Sequence, residues 1–124
     1  MDDFRAELLD GYAREGSFGH RQHLHMTWSY LCRGEGDRVF PFLQHVTEGH
    51  GDHDKLNATM TRFWVDATAH AMRTSGAESF DGLLDAVPHL LDKALPFRHW
   101  SRDRLFSPRA RAEWVEPDLE PLPF

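Results

Sequence analysis

The sequence predicts an all-α fold, a compact irregular bundle of about five to seven helices with an extended, proline-rich C-terminal tail. Apolar residues recur at helical spacing in several segments, and no segment alternates polar and apolar residues as a half-buried strand does. Glycine or proline separates each helical segment from the next. The 124 residues, 40% hydrophobic and 27% charged, are typical of one folded domain. We therefore expect residues 1–124 to form a single helical domain.

Four helices are predicted in the first half of the chain, at residues 2–14, 20–32, 37–48 and 55–74. Asp37 and Asp54 are the expected N-caps of the third and fourth helices, because their carboxylates can accept a first-turn backbone N–H. Pro41 fits the first turn of the third helix, where its missing N–H is harmless. Residues 49–54 are rich in glycine and are expected to form a loop.

Shorter helices are predicted in the second half, at residues 79–86, 88–95, 101–105 and 108–114. Ser107 followed by Pro108 is typical of a helix start, an N-cap serine and then a proline in the first position. The tail at 116–124 has three prolines in nine residues, which favours extended backbone. We expect its Leu119, Leu122 and Phe124 to pack on the helices.

The composition excludes several classes of protein. The single cysteine, Cys32, rules out an internal disulfide and a cysteine-rich zinc site, and it suits a reducing compartment. No segment approaches the ~20 apolar residues of a membrane span, and the N-terminus lacks a secretory pattern. A net charge of −6 argues against general nucleic-acid binding. The expected protein is cytoplasmic and binds neither membranes nor nucleic acids.

Charge is unevenly distributed near the C-terminus. Residues 98–111 contain five arginines and one acid, Asp103, whereas residues 112–124 contain four acids and no base. One interpretation is that the two segments pair across the surface. The other is that arginine side chains bind an anionic ligand, because guanidinium groups hold carboxylates and phosphates bidentately. The second interpretation makes His99, Ser101 and Arg104 candidate substrate-binding residues.

The first candidate site is a histidine pair. His20 and His23 are three residues apart on a predicted helix and therefore share a face. Two such imidazoles can act as acid and base, or they can supply two ligands to one metal ion. Trp28 lies beside them as a candidate wall of a pocket. The alternative is that both histidines are ordinary buried polar groups.

A second group of candidates follows one stripe of the long helix. Asn57, Thr61 and Trp64 have helical spacing and border its apolar face. Facing the histidine helix, Asn57 and Thr61 would position a substrate and Trp64 would form a wall, with Arg62 nearby as a further binding residue. The alternative is that the hydroxyls of Thr59 and Thr61 both bond carbonyls of their own helix.

The remaining histidines are assigned by their surroundings. His25, His45, His50 and His53 are expected to be solvated, although the last three have a composition that suits a metal. His70 is expected in the core. The sequence contains no phosphate-binding glycine loop, no HExxH and no GxSxG motif.

The chain resembles a family of small bacterial helical proteins of unassigned function. The matching segments are His20-Arg21-Gln22-His23-Leu24, Thr61-Arg62-Phe63-Trp64, Leu90-Leu91-Asp92-Lys93, Arg98 through Ser107, and Glu116 through Pro123. The family tends to have Tyr-His-Glu-Thr where this chain has Leu56-Asn57-Ala58-Thr59, and tyrosine where it has Trp100. A third family histidine would imply a three-histidine metal site in the relatives. With Asn57 and Ala58 at those positions, the resemblance implies a metal-free pocket here.

The sequence therefore predicts a small soluble enzyme that transforms a small-molecule substrate, such as a biosynthetic intermediate, in an aromatic-walled helical pocket. His20 and His23 would act as acid and base or would hold one divalent transition metal ion (Fe, Cu or Zn). The alternatives are a non-catalytic protein that binds a small molecule or metal in the same pocket, and a structural or partner protein. The reaction and the oligomeric state are not predicted.

Overall fold

The computed structural model describes residues 19–50 and 56–124, with side chains for all of these except 46–50. Its helices are α1 (His20–Cys32), α2 (Val39–His50), α3 (Ala58–Ser75), α4 (Phe80–Ala86), α5 (Arg102–Leu105) and α6 (Pro108–Ala112). Turns of 3₁₀ helix occur at Gly36–Arg38, Pro88–Leu91 and Leu95–Arg98. These described residues contain no strand, which confirms the all-α prediction. The helix predicted at 2–14 lies outside them.

The start of α2 differs from the prediction. Asp37 lies inside the 3₁₀ turn and is not an N-cap, because the Arg38 N–H bonds the Glu35 carbonyl at 2.9 Å and tightens the turn before the helix. The helix begins at Val39, so Pro41 lies in its first turn as expected. It also continues to His50, into the predicted loop, of which residues 51–54 lie outside the described part.

The long helix α3 begins three residues later than predicted. Its N-cap is Asn57 and not Asp54, since the Asn57 side-chain oxygen accepts the Met60 N–H at 3.0 Å. It ends at Ser75, where Gly76 adopts the left-handed conformation (φ 66°) and its N–H bonds the Met72 carbonyl. Glycine suits this position because it carries no Cβ.

Serine N-caps start the three shorter helices, and the sequence predicted this role for Ser107. Ser79, Ser101 and Ser107 accept the backbone N–H of the residue three positions later at 3.0, 3.3 and 3.2 Å. The helix predicted at 88–95 is instead two 3₁₀ turns separated at Asp92, whose backbone is extended. At this break the Asp92 carboxylate accepts the Ala94 N–H at 2.9 Å, a local side-chain bond that competes with a continuous α-helix. The last helix ends at Ala112, two residues before the predicted end.

The main hydrophobic core lies between α1, α3 and the C-terminal third. Trp100 is fully buried in it, edge-on to Phe63 (ring centroids 5.6 Å apart) and to Trp114 (5.4 Å). Its indole N–H donates to the Val115 carbonyl at 3.0 Å, so the ring's polar atom is satisfied. A smaller cluster joins α1 to α2 through Met26, Tyr30, Val39 and Leu43.

The C-terminal tail is extended and returns over the core. Leu122 packs on the core cluster, and the Phe124 ring lies 6.2 Å from Phe63 and 5.4 Å from His70. Leu119 contradicts the expectation that it packs inward, since its side chain is 56% exposed. It anchors the tail through its backbone instead, where its N–H donates to the His99 carbonyl at 2.9 Å.

None of the helices in the described part of the chain is both long and apolar enough to cross a membrane.

Candidate functional site

His20 is held by a backbone carbonyl at the start of α1. Its Nε2 lies 2.7 Å from the Leu90 carbonyl oxygen, in the 3₁₀ turn after α4. A carbonyl oxygen can only accept, so Nε2 must carry the proton in this bond. In the neutral ring the lone pair is therefore on Nδ1. The bond fixes both the tautomer and the direction of the imidazole.

Trp64 of α3 covers one side of this imidazole. The ring centroids of His20 and Trp64 are 4.4 Å apart, with the planes inclined at 62°. The expected proximity of Trp64 to the histidine helix is therefore present in the structure. Trp28 lies against the core with its ring 6.4 Å from Phe80 of α4. The indole of Trp64 supplies an apolar surface next to a polar imidazole.

Both histidines of the pair are held in the neutral form at pH 7. Burial lowers the pKa of His20, with the Leu90 carbonyl opposing that effect and the Lys93 charge adding to it. Burial lowers the pKa of His23 further, to about 4, and the neighbouring His20 contributes to the same effect. Desolvation disfavours the charged imidazolium, which explains both directions. The pair thus presents two uncharged imidazoles.

The side chains described do not supply a metal-binding set. Among them, no group of three or more His, Cys, Asp or Glu side chains is arranged to hold a metal ion. His20 and His23 would contribute two nitrogens, whereas protein sites for zinc and similar ions use three or four protein ligands. The side chains of His50 and His53 lie outside the described residues, so the predicted metal composition of that loop stays a prediction.

Asn57 has a structural place between α3 and α5. Its oxygen caps α3 through Met60, and its amide N–H donates to the Leu105 carbonyl at 2.8 Å. The side chain is 7% exposed, and both of its polar ends are used to satisfy backbone groups. A substrate would have to displace one of these bonds in order to use Asn57.

Thr61 and Arg62 line a groove that includes neither histidine of the pair. The groove has a volume of about 340 Å³ and lies between the 3₁₀ turn before α2 and the first half of α3. Its lining residues are Gly36, Asp37, Phe40, Ala58, Thr61, Arg62, Val65 and Asp66. Arg62 is engaged on two sides, with its guanidinium 4.5 Å from the Trp114 ring and 3.5 Å from the Asp66 carboxylate.

The three other predicted binding residues contact the C-terminal tail. His99 Nδ1 lies 3.0 Å from the Glu120 carbonyl oxygen, and Arg104 Nε donates to the Glu116 carbonyl at 2.6 Å. The backbone N–H and hydroxyl of Ser101 donate to the Asp118 carboxylate at 2.8 and 2.7 Å. His99, Ser101 and Arg104 therefore hold the tail and are not brought together with the histidine pair.

Asp118 is the acidic centre of this attachment. The two hydrogen bonds from Ser101 lower the pKa of its carboxyl, and the Arg104 charge adds to the effect. A carboxylate that accepts such bonds is favoured in its ionised form. The sequence's first interpretation, in which the basic and acidic segments pair, thus describes part of the contact between them.

His25 was expected to be solvated, and this is wrong. It is 9% exposed and stacks on Phe80, with ring centroids 4.7 Å apart and planes inclined at 9°. Phe80 is the first residue of the short helix α4, and it packs against α1 and covers one face of the His25 ring. His45 is exposed as expected, and His70 is half-buried beneath Phe124.

Leu90 is a neighbour of the candidate site that the sequence did not indicate. Its contribution is a backbone carbonyl, which every residue carries and no side-chain pattern marks. The neighbouring charges of Lys93 and Asp92 were likewise unassigned, although both act on the pKa of His20. The sequence predicted a continuous helix at 88–95. In such a helix the Leu90 carbonyl would accept a backbone N–H from the next turn and would not be available to His20.

Comparisons with protein-family models, with curated proteins and with solved structures found no match to this chain. The resemblance to small bacterial helical proteins accordingly stays a prediction.

Proposed function

We propose that this protein is an enzyme that binds a small molecule at the His20/His23 pair, with Nδ1 of His20 as the general base. The observation that carries the proposal is the hydrogen bond from His20 Nε2 to the Leu90 carbonyl. That bond leaves an unprotonated Nδ1 in a ring of fixed direction. A positioned neutral imidazole is the commonest general base in enzymes.

His23 has a different role in this proposal. With a pKa of about 4, His23 is the uncharged imidazole and not the imidazolium at neutral pH, so it is not the general acid. Burial and the neighbouring His20 both lower its pKa, so it contributes a second uncharged ring beside the proposed base. The substrate that this proposal requires is a small molecule that places an acidic proton near Nδ1 of His20 and an apolar surface against Trp64.

The experiment is a ligand screen read at the histidine rings. Ring-nitrogen NMR spectra of the whole chain are recorded with mixtures of small metabolites, and a ligand is expected to shift the His20 signals most. His20→Gln is the key variant, since its amide nitrogen can still donate to the Leu90 carbonyl while the basic Nδ1 is lost. We expect His20→Gln to remove turnover of the ligand while the folded state is retained. His89→Gln, at an exposed histidine, is the matched control.

The outcome separates the alternatives. If the wild-type chain binds the ligand without converting it, the enzyme proposal is contradicted and a non-catalytic binding protein is supported. Turnover that persists in His20→Gln would overturn the assignment of the base. A calorimetric titration with Zn²⁺ tests the metal alternative, because tight binding lost in both His20→Gln and His23→Gln would require a metal site with ligands beyond the described side chains.

A further inference from the structure

A second surface, distant in sequence from the histidine pair, combines aromatic rings with arginine side chains. We call it the Arg–Phe surface and define it as Phe97, Arg98, Arg102, Phe106 and Arg111. The two phenylalanine rings are 5.9 Å apart. The Arg102 guanidinium lies 4.6 Å from the Phe97 ring centre, and that of Arg111 lies 5.9 Å from the Phe106 ring centre.

The stacked arrangement orients the guanidinium groups. A guanidinium over an aromatic face keeps its N–H donors at the edge of the plane, where they remain able to bind a carboxylate bidentately. Arg111 is further fixed by the bond from its Nε to the Phe106 carbonyl at 3.2 Å. Less rotamer entropy is then lost when a partner binds.

The tail neutralises only part of the basic segment. Arg104 bonds a tail carbonyl, and Arg109 forms an ion pair with Glu113 at 2.9 Å. The Asp118 carboxylate accepts from Ser101. Arg98 and Arg102 are exposed, and neither has a carboxylate within 4.0 Å in the part of the chain that the structure describes. Arg98 and Arg102 therefore carry positive charge that no carboxylate of the described residues pairs.

The apolar part of the surface is also accessible. Phe106 is 39% exposed, whereas most aromatic rings among the described residues are covered. Arginine and aromatic residues are enriched in the energetically important centres of protein interfaces. An exposed phenylalanine with Arg111 over its own ring, and with Arg102 over the neighbouring Phe97 ring, is suited to a partner that offers both carboxylates and an apolar side chain.

Charge identifies the kind of partner. The basic segment 98–111 has a formal charge of +4, whereas the whole chain has −6. A symmetric dimer through this surface would bring two basic patches together, and like charges across an interface are unfavourable. The local positive charge therefore favours an acidic segment of another protein over a second copy of the same surface. Binding of an oligonucleotide, which is also anionic, is an outcome that the experiment below distinguishes.

We propose that the Arg–Phe surface binds an acidic, apolar-containing segment of a partner protein, with carboxylates on Arg98 and Arg102 and an apolar side chain against Phe106. The proposal is independent of the histidine pair and of any reaction there. Because the arginines are exposed, the contact gains more in association rate and specificity than in affinity, and it weakens with added salt.

The test uses synthetic peptides and the full chain. A twelve-residue peptide of repeated Asp-Glu-Phe-Leu units is titrated by fluorescence anisotropy, beside a peptide with Asn and Gln for the acids and one with Ser for the apolar residues. Only the first is expected to bind, and Arg98→Ala with Arg102→Ala should weaken it about tenfold. Phe106→Ala should also weaken it.

Matched variants make the outcome specific. Arg73→Ala removes an exposed arginine of α3, and Leu119→Ala removes the exposed leucine of the tail, so both should bind the peptide as the wild type does. Thermal unfolding of every variant separates lost binding from lost folding. The proposal is overturned if Arg98→Ala with Arg102→Ala binds the peptide unchanged, or if a single-stranded oligonucleotide binds this surface more tightly. It is also overturned if sedimentation shows a dimer that these substitutions dissociate.

Discussion

The hydroxyl of Thr59 accepts the backbone N–H of Val115 at 3.2 Å, joining residues that are 56 positions apart. The same hydroxyl donates to the Glu113 carbonyl at 2.8 Å. Thr59 is fully buried and its bond to Val115 is buried as well, so the Val115 N–H has no water to bond instead. One side chain at the start of α3 thus holds the chain on both sides of Trp114, where the last helix gives way to the tail.

Thr59→Val should therefore destabilise the fold. Valine keeps the shape but leaves two backbone groups without a partner, and each such group costs about 1–3 kcal/mol. We expect the free energy of unfolding to fall by roughly 2–4 kcal/mol, measured by urea denaturation. Thr74→Val is the control, because that hydroxyl is exposed and bonds its own helix. Equal stability of Thr59→Val and the wild type would show that the contact does not hold the tail.

Asn57 is predicted to be a structural residue and not a catalytic one. Asn57→Ala removes a helix cap and a buried bond to Leu105, with an expected loss of about 1–3 kcal/mol. Asn57→Asp keeps the cap but has no donor for the Leu105 carbonyl, so it should also destabilise. Ligand affinity per folded molecule should be unchanged in both variants. A variant of normal stability that no longer binds ligand would show that Asn57 takes part in ligand binding.

The histidine pair predicts a pH dependence of stability. The pKa of His23 falls from 6.5 to about 4 on folding, and that of His20 is also lowered. The unfolded chain therefore binds protons more readily, so the free energy of unfolding is highest above pH 6.5 and decreases as the pH falls towards 4. At about 1.4 kcal/mol for each pKa unit, His23 alone accounts for roughly 3 kcal/mol.

Denaturation curves at several pH values between 4 and 7.5 measure this dependence. His23→Gln should flatten the profile in that range, whereas His89→Gln at an exposed site should leave it unchanged. A profile that stays equally steep in His23→Gln would show that other groups dominate the titration.

The attachment of the tail should depend on Asp118. Asp118→Asn weakens the bonds from Ser101, so hydrogen exchange at the Leu119 N–H, which bonds His99, should become several-fold faster. The lowered pKa of the Asp118 carboxyl means that this contribution is complete above pH 3.8 and is lost as the pH falls further. Glu120→Gln is the control, since Glu120 holds His99 through its backbone carbonyl. Unchanged exchange in Asp118→Asn would contradict the assigned attachment.

Local chemistry explains which parts of the fold were predictable. Ser107 was identifiable as an N-cap because a cap bonds a group three residues away, within reach of a sequence pattern such as Ser-Pro. The sequence placed Asn57 in a pocket instead. Its second hydrogen-bond partner, the Leu105 carbonyl, is 48 positions away, and no local pattern indicates that contact. The break at Asp92 was not predicted, because an aspartate inside an apolar helical pattern does not show that its side chain will bond the Ala94 N–H.

The candidate site was predictable only in its side chains. The shared face of His20 and His23 and the approach of Trp64 follow from helical spacing and packing. The tautomer of His20 depends on the Leu90 carbonyl, and the burial of His25 depends on Phe80. Both are tertiary contacts between segments that periodicity treats separately.

The surroundings of Trp100 provide an optical reporter. Its indole is shielded from water and donates to the Val115 carbonyl, next to the point where the tail leaves the last helix. Release of that segment would expose the indole to solvent and shift its fluorescence emission to longer wavelength. A single-tryptophan variant that retains Trp100 would therefore distinguish detachment of the tail from unfolding of α1 and α3 without an added label.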